Sequence, residues 1–200
     1  MQGQASAKPC IPWIITYSFS LLTSTTKLLG VIINSNLTWD DNCQQIIKKS
    51  SPKLWILRKL KNLKLDTNYL INFFIKEVRC HLEFQAPLWA VALTTRQSQD
   101  LQRVERAGLT IITSSSPRTT SYSGVCEFLG IDKLSTRRKA LALGFATNTA
   151  TKFRHQELFG PNLTNHNTRH HTKYRQYNCR TARFKKSPLI HLTQLLNEHS

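Results

Sequence analysis

One run near the start of the chain constrains its fold more than any other segment. The run is Lys27-Leu28-Leu29-Gly30-Val31-Ile32-Ile33-Asn34-Ser35-Asn36-Leu37-Thr38-Trp39. Its apolar, β-branched first part, residues 27–34, predicts a buried strand, and the polar residues 34–36 predict a tight turn. The side chain of Thr38 or Asp40 can then cap a helix, whose positive end Asp40 and Asp41 would stabilise. The run therefore predicts a strand, a turn and a helix in direct succession.

The first predicted helix carries an apolar stripe and a proline. Side chains spaced three and four apart fall on one helical face, and this spacing joins Cys43, Ile46, Ile47, Ser50, Leu54 and Leu57. Pro52 lies within the same segment. Because a proline in a helix interior removes one hydrogen bond, we expect a kink there or two helices, the second capped by Ser50 or Ser51.

Two more amphipathic helices are predicted between residues 66 and 113. Asp66 or Thr67 opens the second helix and Pro87 ends it, while Thr94 or Thr95 caps the third. The buried side of the second helix consists of Leu70, Ile71, Phe74, Ile75, Val78 and Leu82. The stripe of the third helix consists of Leu101, Val104, Leu109 and Ile112.

The last third of the chain changes in character. A short helix from Tyr122 to Leu129 closes at Gly130, and Ser135 caps another helix whose inner side carries Leu141, Ala142 and Phe145. From about Gly160 the sequence is polar and basic with few apolar residues, so we expect an extended or disordered arm. A terminal amphipathic piece that can dock back as a short helix consists of Leu189, Leu192, Leu195 and Leu196.

The chain has a large excess of positive charge. Lysine and arginine number 28 against 11 aspartate and glutamate residues, giving a formal net charge of +17. Such an excess favours a polyanion, either nucleic acid or an anionic membrane surface. General solubility is the alternative, although a charge of about 2–8 suffices for a small domain. With 40% hydrophobic residues, the chain can bury a core, which excludes a fully disordered protein.

The five cysteines are isolated from one another and odd in number. This pattern predicts reduced thiols in an intracellular protein, nuclear or cytoplasmic, rather than a disulfide framework. The apolar stretch from Cys10 to Leu22 is shorter than the roughly 20 residues that span a bilayer, so we expect no membrane partner. The C-terminal histidines and Cys179 lack the paired spacing of zinc ligands, so we expect no metal site.

Several blocks occur in one order between about Thr25 and His199. They are Lys27-Leu28-Leu29-Gly30-Val31, Leu37-Thr38-Trp39-Asp40-Asp41, Leu54-Trp55-Ile56-Leu57-Arg58-Lys59-Leu60-Lys61, Val78-Arg79-Cys80-His81-Leu82-Glu83-Phe84-Gln85-Ala86-Pro87-Leu88-Trp89, Leu101-Gln102-Arg103-Val104-Glu105-Arg106, Leu134-Ser135-Thr136-Arg137-Arg138 and Cys179-Arg180-Thr181-Ala182-Arg183-Phe184-Lys185-Lys186-Ser187-Pro188. Together they resemble the region after the catalytic palm in the reverse transcriptases of non-LTR (LINE-type) retrotransposons. In that family the blocks form the primer grip, the thumb and the segment that follows the thumb.

The resemblance implies a mainly α-helical fold with a defined organisation. We expect a thumb-like helical bundle, preceded by a short β-strand or hairpin and followed by a flexible basic tail. Residues 1–24 are unassigned, 25–37 form the primer-grip-like strand or hairpin, and 38–158 form the thumb and post-thumb region. Residues 159–200 form the basic, largely extended tail with its short terminal helix.

The resemblance covers no catalytic palm. The parent activity of the family is RNA-directed DNA synthesis, which requires clustered carboxylates that hold magnesium ions. The one adjacent acidic pair, Asp40-Asp41, stands where a helix begins. We therefore expect no enzymatic activity, no catalytic residue, no metal and no cofactor in this chain alone. The expected partners are the backbone of duplex nucleic acid or an RNA–DNA hybrid and, as a second partner, the palm region of a related polymerase.

A set of basic residues, one glycine and one tryptophan form the predicted nucleic-acid-binding site. They are Lys27, Gly30, Lys48, Lys49, Lys53, Trp55, Arg58, Lys59, Lys61, Arg103, Arg106, Arg137, Arg138, Arg180, Arg183, Lys185 and Lys186. Their binding would be independent of sequence and strongly dependent on salt, because phosphates dominate such contacts.

Alternatives stand beside this prediction. Lys48, Trp55 and Lys59 fall on one helical face, which either binds a nucleic-acid backbone or is merely solvated with the tryptophan packed on a neighbouring segment. Gly30 either permits close approach of a backbone or marks an ordinary bulge. Gly108 should weaken its helix by about 1 kcal/mol relative to alanine, and Ala107 and Thr110 stand where the family often has basic residues. The whole chain is alternatively a decayed element fragment without activity, or a helical protein-interaction module.

Overall fold

The computed structural model describes residues 24–114, 121–152, 158–162 and 172–199. These residues form a mainly helical molecule with one two-stranded antiparallel sheet, as the sequence predicted. The strands are β1 (Thr25–Leu28) and β2 (Val31–Asn34). The helices are α1 (Asp40–Asn62), α2 (Thr67–Phe73), α3 (Cys80–Glu83), α4 (Ala86–Trp89), α5 (Thr95–Thr113), α6 (Tyr122–Phe128), α7 (Leu134–Thr151), α8 (Ala182–Lys185) and α9 (Pro188–Glu198). A π-helical segment, Phe74–Arg79, joins α2 to α3, and a 3₁₀ turn, Ala90–Ala92, follows α4.

The predicted strand over residues 27–34 is a hairpin. Leu29 and Gly30 have φ angles of 47° and 90°, and they reverse the chain so that β1 and β2 pair antiparallel. Two central residues with positive φ are typical of two-residue hairpin turns, whose twist matches that of the strands. Gly30 also abuts Phe84, since a Cβ at this position would lie 3.0 Å from the Phe84 ring. The hairpin expected within residues 25–37 is therefore confirmed. The prediction of one continuous buried strand over residues 27–34 was wrong, because Leu29 and Gly30 form a turn and β1 is exposed.

Asn34 fixes the junction between the hairpin and α1. Its side-chain amide donates to Thr38 Oγ1 at 2.7 Å and to Asp41 Oδ2 at 2.9 Å, and it accepts from the Thr38 N–H at 2.8 Å. The N-cap residue of α1 is Trp39, which makes no side-chain capping bond. The predicted caps at Thr38 and Asp40 were therefore wrong, because Thr38 serves the turn and Asp40 already lies inside the helix.

Helix α1 continues through its proline. The expected division at Pro52 was wrong, since the helix is unbroken over its whole length. The hydroxyls of Ser50 and Ser51 donate to the carbonyl oxygens of Ile46 at 2.9 Å and Ile47 at 2.8 Å, rather than beginning a second helix. Packing of the apolar stripe on both sides of Pro52 outweighs the loss of one backbone hydrogen bond on the exposed side.

The second amphipathic segment changes its helical geometry partway. Asp66 caps α2 as predicted, accepting from the Asn68 N–H at 3.2 Å. Ile75 was predicted to be buried, but it is 42% exposed, because the wider turn of the π-helical segment rotates it outward. The fully buried side chains of this segment recur every fourth residue, at Leu70, Phe74, Val78 and Leu82.

Pro87 does not end this helical segment. The chain leaves helical geometry at Phe84 and Gln85, where Gln85 adopts a left-handed conformation with φ of 51°. Pro87 then lies in the first turn of α4, where a missing backbone N–H costs nothing. This bend directs Trp89 inward, where it is fully buried and donates to the Phe84 carbonyl at 2.9 Å.

Helix α5 matches its prediction closely. Thr94 and Gln97 form a reciprocal capping box, and the predicted stripe of Leu101, Val104, Leu109 and Ile112 is buried. Gly108 faces the same interior. A Cβ at this position would lie 2.4 Å from Cε2 of the buried Phe74 ring, so the glycine makes room for that ring.

Helix α7 differs from its prediction in both cap and face. Lys133 is its N-cap residue and makes no side-chain bond, so Ser135 does not cap it. Phe145 is 43% exposed and Leu141 is half-buried, whereas Ala142 is buried as predicted. The other buried residues of the helix are Leu134, Arg138 and Ala146. The small side chains allow α9 to pack closely against α7.

Upstream, α6 has the predicted position, and Gly130 after it has φ of 62°.

The interior comprises two hydrophobic clusters. The larger is built from α1, the segment from α2 to α4, α5, α6 and the start of α7. The smaller joins α7 to Phe159 and to Leu192, Leu195 and Leu196 of α9, which confirms the predicted terminal helix. The centre of the predicted arm, residues 163–171, lies outside the described residues. In the described part of the chain, no helix is long and apolar enough to cross a bilayer.

Candidate nucleic-acid interface

Three of the predicted basic residues line one groove. Arg58 projects from α1, while Arg103 and Arg106 project from α5, which packs alongside it. The groove has a volume of about 410 Å³, and its remaining lining consists of Ala107, Thr110 and Ile111. The sequence predicted the three arginines separately, and the packing of two helices brings them together.

The groove is positively charged. Arg58, Arg103 and Arg106 are all exposed, and none of the described residues that line the groove is acidic. Arg103 pairs with Asp100 one turn earlier on α5, with 2.6 Å between Nη1 and Oδ1. At a surface position 75% exposed, such a pair contributes little energy, so Arg103 can exchange it for a phosphate.

A second basic face lies on the side of α1 away from the core. Lys48, Trp55 and Lys59 are exposed there, as the helical spacing predicted. Trp55 is 60% exposed, and Lys59 Nζ lies 5.3 Å from its ring centroid in a cation–π contact. Trp55 therefore does not pack against a neighbouring segment, which was the alternative to an exposed binding face. An exposed indole beside the Lys59 ammonium can stack on a sugar or base while the cation contacts a phosphate.

Three other predicted basic residues have partners within the fold. Lys53 forms an ion pair with Glu77 at 2.7 Å, which lowers the pKa of that carboxyl below its ordinary value. Lys61 Nζ donates to the Ile112 carbonyl at 2.7 Å and thereby joins α1 to the C-terminal end of α5. Arg137 is half-exposed, with its Nε 3.5 Å from Glu83 Oε2. These side chains hold helices together on one side and face solvent on the other.

Arg138 was predicted among the nucleic-acid-binding residues, but it is buried rather than on the surface. It is only 7% exposed, and its Nε and Nη2 both donate to the Leu82 carbonyl, at 3.3 and 3.0 Å. Its guanidinium carbon lies 4.9 Å from the centroid of the Trp89 ring. Burial lowers the pKa of Arg138 to about 10. The residue is internal because this position of α7 faces the core.

The remaining predicted residues lie apart from the groove. Lys27 is exposed on β1, and Lys49 is exposed beside Gly30 in a separate pocket. In the tail, the exposed basic residues are Arg180, Arg183, Lys185 and Lys186. Arg183 Nη2 donates to the Asn36 carbonyl at 3.4 Å, which places the start of α8 against the turn before α1. The structure therefore distributes the predicted site over several surfaces.

The sequence did not predict a buried polar cluster around Glu105. This carboxylate is fully buried on α5, accepts a hydrogen bond from the Tyr122 hydroxyl and lies 3.8 Å from Arg79 Nη2. Arg79 also donates to Glu83 at 2.7 Å, and the Leu134 N–H donates to the Tyr122 oxygen at 3.2 Å. Burial raises the pKa of Glu105 and that of Tyr122. The available signal was one acidic residue on an otherwise apolar helical face, which indicates a buried ionic contact.

The acidic pair at the start of α1 takes part in structural contacts. Asp40 Oδ1 accepts from Gln97 Nε2 at 2.8 Å and so ties α1 to the capping box of α5. Asp41 accepts from Asn34. Among the described residues, no group of three or more His, Cys, Asp or Glu side chains is arranged to hold a metal ion. The four described cysteines are free thiols: Cys43, Cys80, Cys126 and Cys179.

Comparison with known proteins found no family model, no curated protein and no solved structure that matches this chain. The resemblance to non-LTR reverse transcriptases stays a prediction from the ordered sequence blocks. We therefore infer function first from the geometry of the groove.

Proposed function

We propose that this chain binds the phosphate backbone of duplex nucleic acid or an RNA–DNA hybrid, independently of sequence. In this proposal it corresponds to the thumb region of a non-LTR retrotransposon reverse transcriptase, and the chain by itself does not polymerise. The observation that carries the proposal is the convergence of Arg58, Arg103 and Arg106 on one groove between α1 and α5. The ordered sequence blocks support the proposed relation to this family.

The chemistry of this groove fits phosphate. A guanidinium is always charged and presents paired donors that match two phosphate oxygens. Two helices hold the three groups, so a single backbone can meet several of them at once. The exposed face of Lys48, Trp55 and Lys59 extends the cationic surface along α1. Each phosphate neutralised releases counterions, so the logarithm of the binding constant should fall linearly with the logarithm of the salt concentration.

The test is a fluorescence anisotropy titration of a labelled RNA–DNA hybrid at several salt concentrations between about 50 and about 200 mM. We expect the double variant Arg58→Gln/Arg106→Gln to weaken binding and to reduce the salt slope by about 2, because each arginine that no longer neutralises a phosphate removes about one unit. Variants of the hybrid sequence should bind equally, because phosphate contacts carry no sequence information.

The matched control is Lys76→Gln/Lys152→Gln, which removes two exposed charges from positions that do not line the groove. Its salt slope should stay within experimental error of the wild-type slope. Equal slopes for all three proteins would show that the groove makes no phosphate contact and would defeat the proposal. Primer extension by the chain alone, abolished by EDTA, would contradict the statement that it lacks polymerase activity.

A helical protein-interaction module is the second candidate, favoured by exposed apolar residues around the hairpin. Leu28 is 58% exposed, Leu29 is 84% exposed, and Phe84, which abuts Gly30, is 48% exposed. In the first candidate the same surface would meet the palm of a related polymerase. Salt separates the two candidates, because apolar docking does not weaken with salt as phosphate binding does.

A further inference from the structure

A cavity of about 240 Å³ lies where α4, α5, α6, α7 and α9 meet, away from the arginine groove. Its apolar wall includes Pro87, Val91, Leu93 and Ala142. Its polar lining includes Ser98, Tyr122, Ser135, Arg138, Lys139 and His191. Three of these side chains carry or can acquire positive charge, and none of the described lining residues is acidic. The lining of the cavity therefore combines cationic with apolar side chains.

Arg138 gives this cavity an unusual donor. The side chain is 7% exposed, and its Nε and Nη2 share one acceptor, the Leu82 carbonyl. The ring of Trp89 covers one face of the guanidinium. No described residue accepts a hydrogen bond from Nη1. A guanidinium has five N–H donors, so most of its donor capacity is unused by the fold.

No described carboxylate pairs directly with Arg138. The two carboxylates that act on Arg138 electrostatically are Glu105 and Glu83. Each of them accepts a hydrogen bond from another residue. Glu105 accepts from Tyr122, and Glu83 accepts from Arg79 at 2.7 Å. Burying a charged group without a direct counter-charge is costly. A bound anion would supply both the missing acceptor and the missing charge.

We propose that this cavity binds a small organic anion that carries one carboxylate or phosphate group on a compact apolar body. The acidic group accepts hydrogen bonds from Arg138 and lies near Lys139 and His191, while the apolar body contacts Pro87, Val91 and Leu93. The volume fits this class, because an apolar cavity of about 150 Å³ holds benzene. The larger volume here leaves space for one acidic group beside a ring.

The test uses ¹⁹F NMR to measure the binding of 4-fluorobenzoate and 4-fluorophenyl phosphate to the full chain. The neutral analogue 4-fluorobenzamide has the same shape as the benzoate. We expect at least one of the two anions to bind with a Kd of about 1 mM or tighter, and the amide about tenfold more weakly. Comparing the two anions identifies which acidic group the cavity prefers.

Two variants locate the binding. Arg138→Gln keeps a donor for the Leu82 carbonyl, and we expect it to weaken anion binding about tenfold or more. Lys139→Met removes a second cation from the lining, and we expect a loss of about threefold or more. The matched control is Lys152→Met, at an exposed position directly after α7 that does not line the cavity, and binding should be unchanged.

If Arg138→Gln fails to fold, Lys139→Met and its control decide the question by themselves, because Lys139 is exposed. Failure of both anions to bind would overturn the proposal. So would equal affinity for the amide and the benzoate, or equal losses in Lys139→Met and Lys152→Met, since either result would place the anion elsewhere. These outcomes are independent of duplex binding in the arginine groove.

Discussion

Gly108 lies at a point of α5 where no side chain fits. From sequence alone it is a helix-weakening residue, since glycine costs about 1 kcal/mol relative to alanine. In the fold its missing Cβ leaves room for Phe74, whose ring lies where that atom would be. The same residue is unfavourable for the helix and necessary for its packing, and the second effect is the larger because the Phe74 ring is fully buried.

We predict that Gly108→Ala lowers the free energy of unfolding by about 1–3 kcal/mol, because overpacking outweighs the gain in helix propensity. The matched control is Gly144→Ala in α7, where the added methyl meets open space, and we expect a gain of about 0.5–1 kcal/mol. Urea denaturation of both variants measures the difference. A stabilised Gly108→Ala would show that Phe74 can move aside.

Glu105 links stability to pH. Burial raises its pKa, so the folded state keeps this proton to a higher pH than the unfolded chain does. The contribution of this group to the free energy of unfolding therefore falls as pH rises from the ordinary glutamate pKa through the raised one. Glutamine at this position can still accept the hydrogen bond of Tyr122 and does not ionise.

We predict that Glu105→Gln gains stability relative to wild type as pH rises from about 4.5 to about 7.5. Denaturation at both pH values gives the difference directly, and ionisation of other groups common to both proteins cancels. Glu127→Gln, at an exposed position on α6, is the control and should show no such trend. A pH-independent difference for Glu105→Gln would mean that Arg79 and Tyr122 fully compensate the burial of the carboxylate.

At the scale of elements, α1 shows tertiary packing overriding a local signal. Pro52 has no N–H to offer the carbonyl four residues earlier, and the sequence alone favours a break there. The buried side chains on either side, Ser50 and Leu57, pack into one interior and keep the helix continuous. Pro52 therefore lowers the stability of α1 without ending the helix.

We predict that Pro52→Ala raises the free energy of unfolding by about 1–3 kcal/mol, because it restores a backbone hydrogen bond and improves helix propensity. Gln44→Ala, at another exposed position of α1, should be close to neutral. Thermal denaturation of the wild type and both variants measures the differences in stability. A destabilised Pro52→Ala would mean that α1 requires a local distortion at the proline.

At the scale of the whole molecule, α7 connects the two hydrophobic clusters. Its first residue, Leu134, belongs to the larger cluster, while Ala142 and Ala146 belong to the smaller one with α9. Helix α4 packs against both α7 and α9. Because α7 packs in both clusters, unfolding of one cluster removes part of the packing of the other. We therefore expect the two clusters to unfold together.

We predict a single cooperative thermal transition by far-UV circular dichroism. Leu57→Ala in the larger cluster and Leu192→Ala in the smaller one should each lower the free energy of unfolding by about 2–5 kcal/mol. Each variant should therefore show the same single transition at a lower temperature. Two separate transitions in Leu192→Ala would show that the C-terminal cluster folds independently. A non-cooperative trace for the wild type would support the decayed-fragment alternative.

The sequence by itself determined where helices lie and which side of most of them is buried. Periodicity depends on the geometry of one helix, so the stripe of α5, the cap at Thr94 and the terminal amphipathic helix were predictable. So was the exposed face of Trp55, which follows from its angle around α1. These features need no knowledge of any neighbouring element.

Tertiary structure alone decided which residues meet. Arg58 and Arg103 converge because α1 and α5 pack side by side, and Arg138 is internal because α4 and α9 cover that side of α7. The π-helical segment that contains the exposed Ile75 packs against α1 and α5, two helices that are separate from it in sequence. Contacts between distant segments depend on how neighbouring helices pack, and a local sequence pattern does not contain that information.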